Sequence, residues 1–222
     1  IDAADLDLTG AARRLRAVEG ARLARLVAQV REALAPGAAC RPCYVEAKAE
    51  EGVTIEGLAF RSRVLRRHLD EVGRVFPFVM TLGPAVDALV DSTADLLDKY
   101  CLGEIANHAL RETRRVFEGR LRARFALERI ASMTPGSLAD WPIEAQREVF
   151  ALLPGVADRL GVRLTDHLLM LPRRSVAGIY FPVGASFVSC QLCPRQRCED
   201  RKAAYDPDKA RRLGLEPLPE GS

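Results

Sequence analysis

The chain predicts an α+β fold in a single domain, on three observations. Segments with helical apolar spacing are grouped in its first half, at residues 8–34 and 85–129. Strand-like runs sit at 43–60, at 75–82 and again at 162–181. Helices and strands do not alternate one for one, as they would around a doubly wound parallel sheet. At 222 residues the chain can bury a substantial core.

Taken in order, Leu8, Ala12, Leu15, Val18, Leu23, Leu26, Val30 and Leu34 recur at helical spacing, with Thr9 as cap and Pro36-Gly37 as stop. Val45, Ala47 and Ala49 alternate, then Val53 and Ile55 precede Gly57, which reads as two short strands. Val64, Leu65 and Leu69 mark the inner face of a helix over 63–70. Residues 75–82 form a continuous apolar strand ended by Gly83-Pro84. Two helices follow, 85–99 and 102–129, with a bend expected near Gly103. Thr134-Pro135-Gly136-Ser137 is turn chemistry, and Pro142 suits the first turn of a short helix running to about Leu153. Residues 162–170 and 175–181 read as strands around a Pro172 turn. From Lys202 onward, charge, proline and glycine predict a surface-hugging or disordered tail. The division is therefore an N-terminal helix over 1–38, a main domain over 39–205 and a tail over 206–222.

The balance of 33 basic and 30 acidic residues, net +3, gives no footprint for nucleic acid. No apolar run approaches the roughly 20 residues that span a bilayer, so no membrane role is expected. The chain opens on Ile1, as a segment of a longer chain would, and no charged-then-apolar export signal follows. Its six cysteines are then expected to be reduced thiols or ligands in a cytoplasmic setting.

Three of those cysteines fall within nine residues: Cys190-Gln-Leu-Cys193-Pro194-Arg-Gln-Arg-Cys198. The C-x2-C-x4-C spacing can wrap three thiolates around one metal centre. A [4Fe–4S] cluster is the first expectation, since Pro194 follows a cysteine as in ferredoxin loops and Arg195, Arg197 and Arg201 offset thiolate charge. Zinc is the alternative. Cys40-Arg-Pro-Cys43 is a second C-x2-C pair, open to three readings: a fourth ligand, a redox pair, or two ordinary thiols at a strand start. Cys101 lies in an apolar helical context that suits a buried, inert thiol.

The segment from Thr134 through Asp140-Trp141-Pro142 to Gln146, then Leu160-Gly-Val-Arg-Leu-Thr165 and Leu171-Pro-Arg-Arg-Ser-Val-Ala-Gly-Ile179, resembles the reactivation (activation) domain of vitamin-B12-dependent methionine synthase. That family has a Ser-Pro-Gly-Tyr turn, an Asp-Trp-Pro…Gln helix start, a Gly-Val…Leu-Thr strand and a Pro-x-Lys-Ser-Val-Ser-Gly-Ile strand. Phe78-Val-Met-Thr-Leu-Gly83 is similar to a strand of stand-alone members, Phe60-Arg-Ser62 to the lead-in to their preceding helix, and Cys198-Glu-Asp-Arg201 to their C-terminal cysteine cluster. The resemblance spans roughly residues 40–205.

The resemblance implies a twisted, largely antiparallel sheet flanked by helices. It implies S-adenosylmethionine bound beside a corrinoid: one electron and a methyl group restore methylcobalamin from cob(II)alamin, and the cofactors carry that chemistry. The cobalamin would be carried by a partner, a corrinoid-binding protein or cobalamin-dependent methyltransferase. Matching positions make Ser132, Pro135, Gly136, Ser137, Arg174, Ser175 and Gly178 the cofactor-binding candidates, with amides around Gly136 able to receive a ligand. Here the family's arginine and tyrosine are replaced by Ser132 and Ser137. A serine hydroxyl cannot reproduce a bidentate guanidinium–carboxylate contact. The loss is worth about 1.5–3 kcal/mol, so weak or absent S-adenosylmethionine binding is expected, with Arg129 or Arg122 as possible compensators. The function expected is reductive activation of a corrinoid methyltransferase through an iron–sulfur centre. The alternative is a metal-stapled module that docks a corrinoid protein without methyl transfer.

Overall fold

Two apolar centres organise the chain. The computed structural model describes residues 1–13, 15, 18–184, 189–195, 201, 203–212 and 215, and within its α+β fold two compact units are distinguished. The first comprises Ile1–Ala39, Val79–Ala126 and Pro154–Val176; the second comprises Cys40–Phe78, Leu127–Leu153 and Ala177–Ser222.

The first unit is mainly helical. Helix α1 (Gly20–Ala33) buries Leu26 and Val30, one helical turn apart. Helix α3 (Pro84–Ser92) starts on a proline after Gly83, whose φ of +84° favours glycine. Helix α4 (Leu96–Phe125) runs 30 residues and turns Cys101, Leu102, Ile105, Ala106 and Ala109 to the same core. Burying each large aliphatic side chain there contributes about 1.5–3 kcal/mol. Buried Asp98 is held by Arg22 (2.6 Å) and Arg25 (2.8 Å), contacts that keep its carboxyl below the ordinary range.

Three helical boundaries differ from expectation. The period running through residues 8–34 is not one helix: Thr9–Arg13 is a 3-10 turn and α1 begins only at Gly20. Asp7 accepts from both the amide and the hydroxyl of Thr9. A Cβ at Gly10 would lie 2.6 Å from the His108 ring, so that turn is seated too closely on α4 for a larger residue. No break falls at Gly103; it falls between α3 and α4, where the Ser92 and Thr93 hydroxyls donate back to the Leu89 carbonyl and Asp95 caps α4 through the Asp98 amide. Helix α4 ends at Phe125, with Ala126 left-handed at φ 51°.

The sheet comprises β1 (Gly37–Cys40), β2 (Cys43–Ala49), β3 (Gly52–Ile55), β4 (Leu58–Arg61), β5 (Arg74–Thr81), β6 (Ile130–Met133) and β9 (Ser175–Pro182), the last numbered in chain order. Its order is β4-β3-β2-β5-β9-β6, with β1 also paired to β5. The β2–β3, β3–β4, β2–β5 and β6–β9 pairs are antiparallel. Central β5 is buried from Val75 through Thr81, matching its unbroken apolar run. Residues 43–61 hold three strands rather than two, because Glu50-Glu51 and Glu56-Gly57 make two turns. Continuing the Cys43↔Val75 register sets Arg41 across from Pro77, which has no N–H to give. The ladder is interrupted there, separating β1 from β2.

Helix α2 (Arg63–His68) follows β4, and helix α5 (Gln146–Ala151) follows the 134–145 loop. Helix α6 (Val156–Leu160) was not anticipated, and the expected strand over 162–170 is a small hairpin, β7 (Arg163–Leu164) with β8 (Met170–Leu171). Strand β6 begins immediately after the stretch read as the end of the long helix. Helix α7 (Pro207–Arg212) lies in the segment read as a tail and buries Ala210. Among the described residues no helix is long and apolar enough to cross a membrane.

Candidate functional site

Cys190 and Cys193 share one short 3-10 segment, Ser189–Leu192 and the residue after it, where the Cys193 amide donates to the Cys190 carbonyl at 3.3 Å. Both are half-buried. Leu192 between them is buried and anchors the turn. The Arg201 guanidinium donates to the carbonyls of Cys190, Cys193, Arg195 and Ala203. On the other side the Asp206 amide donates to the Gln191 carbonyl (2.8 Å) and Lys209 Nζ to Gln191 Oε1 (2.7 Å). Two thiols three residues apart on one turn have the spacing that C-x2-C sites use, and an all-thiol donor set would suit iron–sulfur or zinc. Cys198 lies outside the described residues, and among the described residues no three His, Cys, Asp or Glu side chains converge as metal ligands.

The other C-x2-C pair has a different setting. Cys43 opens β2, is fully buried, and burial pushes its thiol up to about 11. Cys40 ends β1 and is half-buried. Arg41 between them donates to the Leu152 carbonyl at 2.6 Å and lies 3.7 Å from Glu56.

Strand β6 and the turn after it carry the family-matched residues. Ser132 pairs with Tyr180 across β6 and β9. Gly136 is left-handed at φ +78°, which a turn there requires, and a Cβ on it would meet Ile143 at 2.9 Å. The Gly136 amide donates to the Trp141 carbonyl (2.8 Å) and the Ser137 amide to the Thr134 carbonyl (3.1 Å). The Ser137 hydroxyl also donates to Thr134, at 2.6 Å. Both amides expected to receive a ligand are thus committed within the turn. Pro135 supplies no amide. Gly178 in β9 lies against this segment: a Cβ there would collide with the Met133 carbonyl and approach Thr134 Cγ2 to 2.9 Å. Sequence matching therefore gathers Ser132, Pro135, Gly136, Ser137 and Gly178 in one region of the second unit.

Arg174 and Ser175 belong at their positions to the first unit and are engaged there. Arg174 Nη1 lies 2.5 Å from Asp87 Oδ1, and the Arg173 amide donates to Asp87 Oδ2. Ser175 Oγ bonds Thr81 Oγ1 (2.9 Å) and the Pro172 carbonyl (2.7 Å).

Asp140 was noted only as part of a motif. Its Oδ2 accepts from the Ser62 hydroxyl (2.5 Å) and the Val64 amide (2.9 Å), while Ser62 Oγ accepts from the Leu65 amide. The Asp-Trp-Pro segment thereby caps α2, and fully buried Trp141 fills the core behind it. A hydroxyl just before Val64-Leu65 is a cap signal that the sequence reading passed over; its partner, 78 residues on, had no local signal. Gln191 and Lys209, which hold the cysteine turn, were likewise silent.

No family model and no curated protein matches this sequence. Among solved structures, the chain is similar to the MetH reactivation domain in its crystal structure bound to AdoHcy, with a TM-score of 0.56 and 18% identity over 91% of this chain and 77% of that one. The fold is therefore that of the MetH reactivation domain: an antiparallel sheet flanked by helices.

Proposed function

We propose that this chain is a cytoplasmic reactivation component that docks onto a corrinoid-binding protein or cobalamin-dependent methyltransferase and supplies an electron to its inactive cobalt. The observation that carries the reading is the fold likeness to the MetH reactivation domain across 91% of the chain. In this reading Cys190, Cys193 and Cys198 hold a [4Fe–4S] cluster; neither Cys40 nor Cys43 converges with Cys190 and Cys193 among the described residues, so the fourth position falls to a small molecule or a partner residue. The cluster's chemistry is one-electron transfer. Such a cluster would pass one electron, from a low-potential one-electron donor, to the partner's inactive cob(II)alamin. What the chain's own residues do is hold the turn: Arg201, Asp206 and Lys209 tie its carbonyls and amide side chain back.

A second reading, a docking module without methyl transfer, is favoured by the committed Gly136 and Ser137 amides and by the Arg174–Asp87 pair. Calorimetry with S-adenosylmethionine separates the two. Weak or absent binding is expected from Ser132 and Ser137, and a micromolar dissociation constant would restore the methyl-transfer branch.

The docking itself is tested by pull-down with corrinoid proteins of the same cell. The expected result is preference for partner loaded with cob(II)alamin over the apo form. Equal binding to both favours the docking module, and no corrinoid protein in the pull-down defeats both readings.

A further inference from the structure

Arg201 spans the cysteine turn from end to end. Nη1 donates to the carbonyls of Cys190 and Ala203, both at 3.3 Å, while Nη2 reaches the carbonyl of Cys193 at 3.4 Å and that of Arg195. The carbonyls of both described thiol residues in the run thus converge on one planar, permanently charged group. No bond in this set uses a sulfur, so Arg201 holds the turn through its backbone. A second set of bonds holds Gln191 between the cysteines: the Asp206 amide on its carbonyl and the Lys209 ammonium on its Oε1.

We propose that Arg201 is a positioning residue that sets the backbone course between Cys190 and Cys193 for the thiolate-bound metal centre proposed above. The inference rests on the metal reading above, and it assigns the task to guanidinium geometry rather than to charge alone. A guanidinium presents five donors in a rigid plane, which can bridge carbonyls at both ends of the turn; an ammonium is a compact charge on a flexible stem. Lysine at 201 would keep the charge and lose the bridge. Lys209, which meets the turn at the Gln191 side chain rather than at a cysteine carbonyl, has a smaller part.

The test compares wild type with Arg201→Lys, Arg201→Ala and Lys209→Met, with two readouts on the whole chain. Amide deuterium exchange over residues 189–195 is measured without metal, and zinc affinity is measured by competition with a chromophoric chelator. Both Arg201 variants are expected to exchange at least about tenfold faster over the turn and to bind zinc about 10–100-fold more weakly, the scale typical of outer-shell changes. Lys209→Met is expected to change both in the same direction by less. If Arg201→Ala does not fold, the lysine and Lys209 variants carry the comparison. Arg201→Lys indistinguishable from wild type in both readouts would overturn the proposal. A wild type that takes up neither zinc nor iron would sink the metal reading instead, and turn exchange would still decide whether Arg201 holds the backbone: faster exchange in the variants supports it, equal exchange removes it.

Discussion

The two C-x2-C pairs share a spacing and almost nothing else. Cys40 and Cys43 end one strand and begin the next, both strands pairing with β5, and Cys43 is sealed in the sheet with its thiol pushed up to about 11. Cys190 and Cys193 lie on a 3-10 turn whose carbonyls are drawn to a guanidinium and whose thiols are half-buried. The lesson is conformational. Cys40 and Cys43 belong to two different strands, and Arg41 between them is tied to the Leu152 carbonyl. Curled residues bring their side chains to one side of a turn. An identical spacing therefore occupies two different backbone settings: a strand junction with one sealed thiol, and a turn with two half-buried cysteines.

The sharpest way to break this comparison is to exchange the consequences of mutation. Cys190→Ala or Cys193→Ala should abolish tight metal uptake, a loss of at least about 100-fold in affinity, because a thiolate ligand is removed outright. The unfolding midpoint of metal-free protein should stay within about 0.5 kcal/mol of wild type, as for surface changes. Retained metal in both variants would equate the two pairs.

Acid should act on the side of the cysteine turn. His68 stacks on Phe181 with ring centroids 5.9 Å apart, and burial, aided by the Lys209 charge, lowers its pKa to about 4. The unfolded chain binds that proton near pH 6.5, so stability is complete above about 6.5 and falls as pH drops toward 4, by up to about 3 kcal/mol. Denaturant unfolding between pH 7 and 4.5 measures it. His68→Gln should flatten that slope, and an unchanged slope would move the cause elsewhere.

Cys43→Ser should cost about 1–3 kcal/mol, since a buried hydroxyl without a partner carries a desolvation penalty, while metal uptake stays as in wild type. A metal loss equal to that of Cys190→Ala would show Cys43 to be a ligand. The smallest expected effect separates Cys43 from Cys193 by accessibility. Maleimide should label Cys193 in native metal-free protein at least about tenfold faster than Cys43, because Cys193 is half-buried whereas Cys43 is sealed and its thiol is pushed up to about 11.

Strand β5, strand β9, α2 and the Gly136 turn were legible because each has a local cause: an apolar run, a helical period, a glycine in turn chemistry. Strands β1 and β6 were not, since four residues apiece carry no period and owe their conformation to β5 and β9. The break between α3 and α4 was misplaced at Gly103 because helical period ignores side chains that bond back to the backbone, as Thr93 does to Leu89. At the candidate site, the cysteine spacing and the positive charge of Arg201 were readable. The guanidinium's four carbonyl partners, and the engagement of Arg174 by Asp87 across 87 residues, were long-range matters without a local mark.

The central claim, that the Cys190–Cys193 turn belongs to a redox centre, is tested most directly by purifying the whole chain without oxygen and assaying iron, acid-labile sulfide and zinc. The account predicts a brown protein with about four iron and four sulfide per chain and broad absorbance near ~400 nm, as thiolate-bound iron clusters have, all lost in Cys190→Ala. Stoichiometric zinc with no iron or sulfide would contradict it.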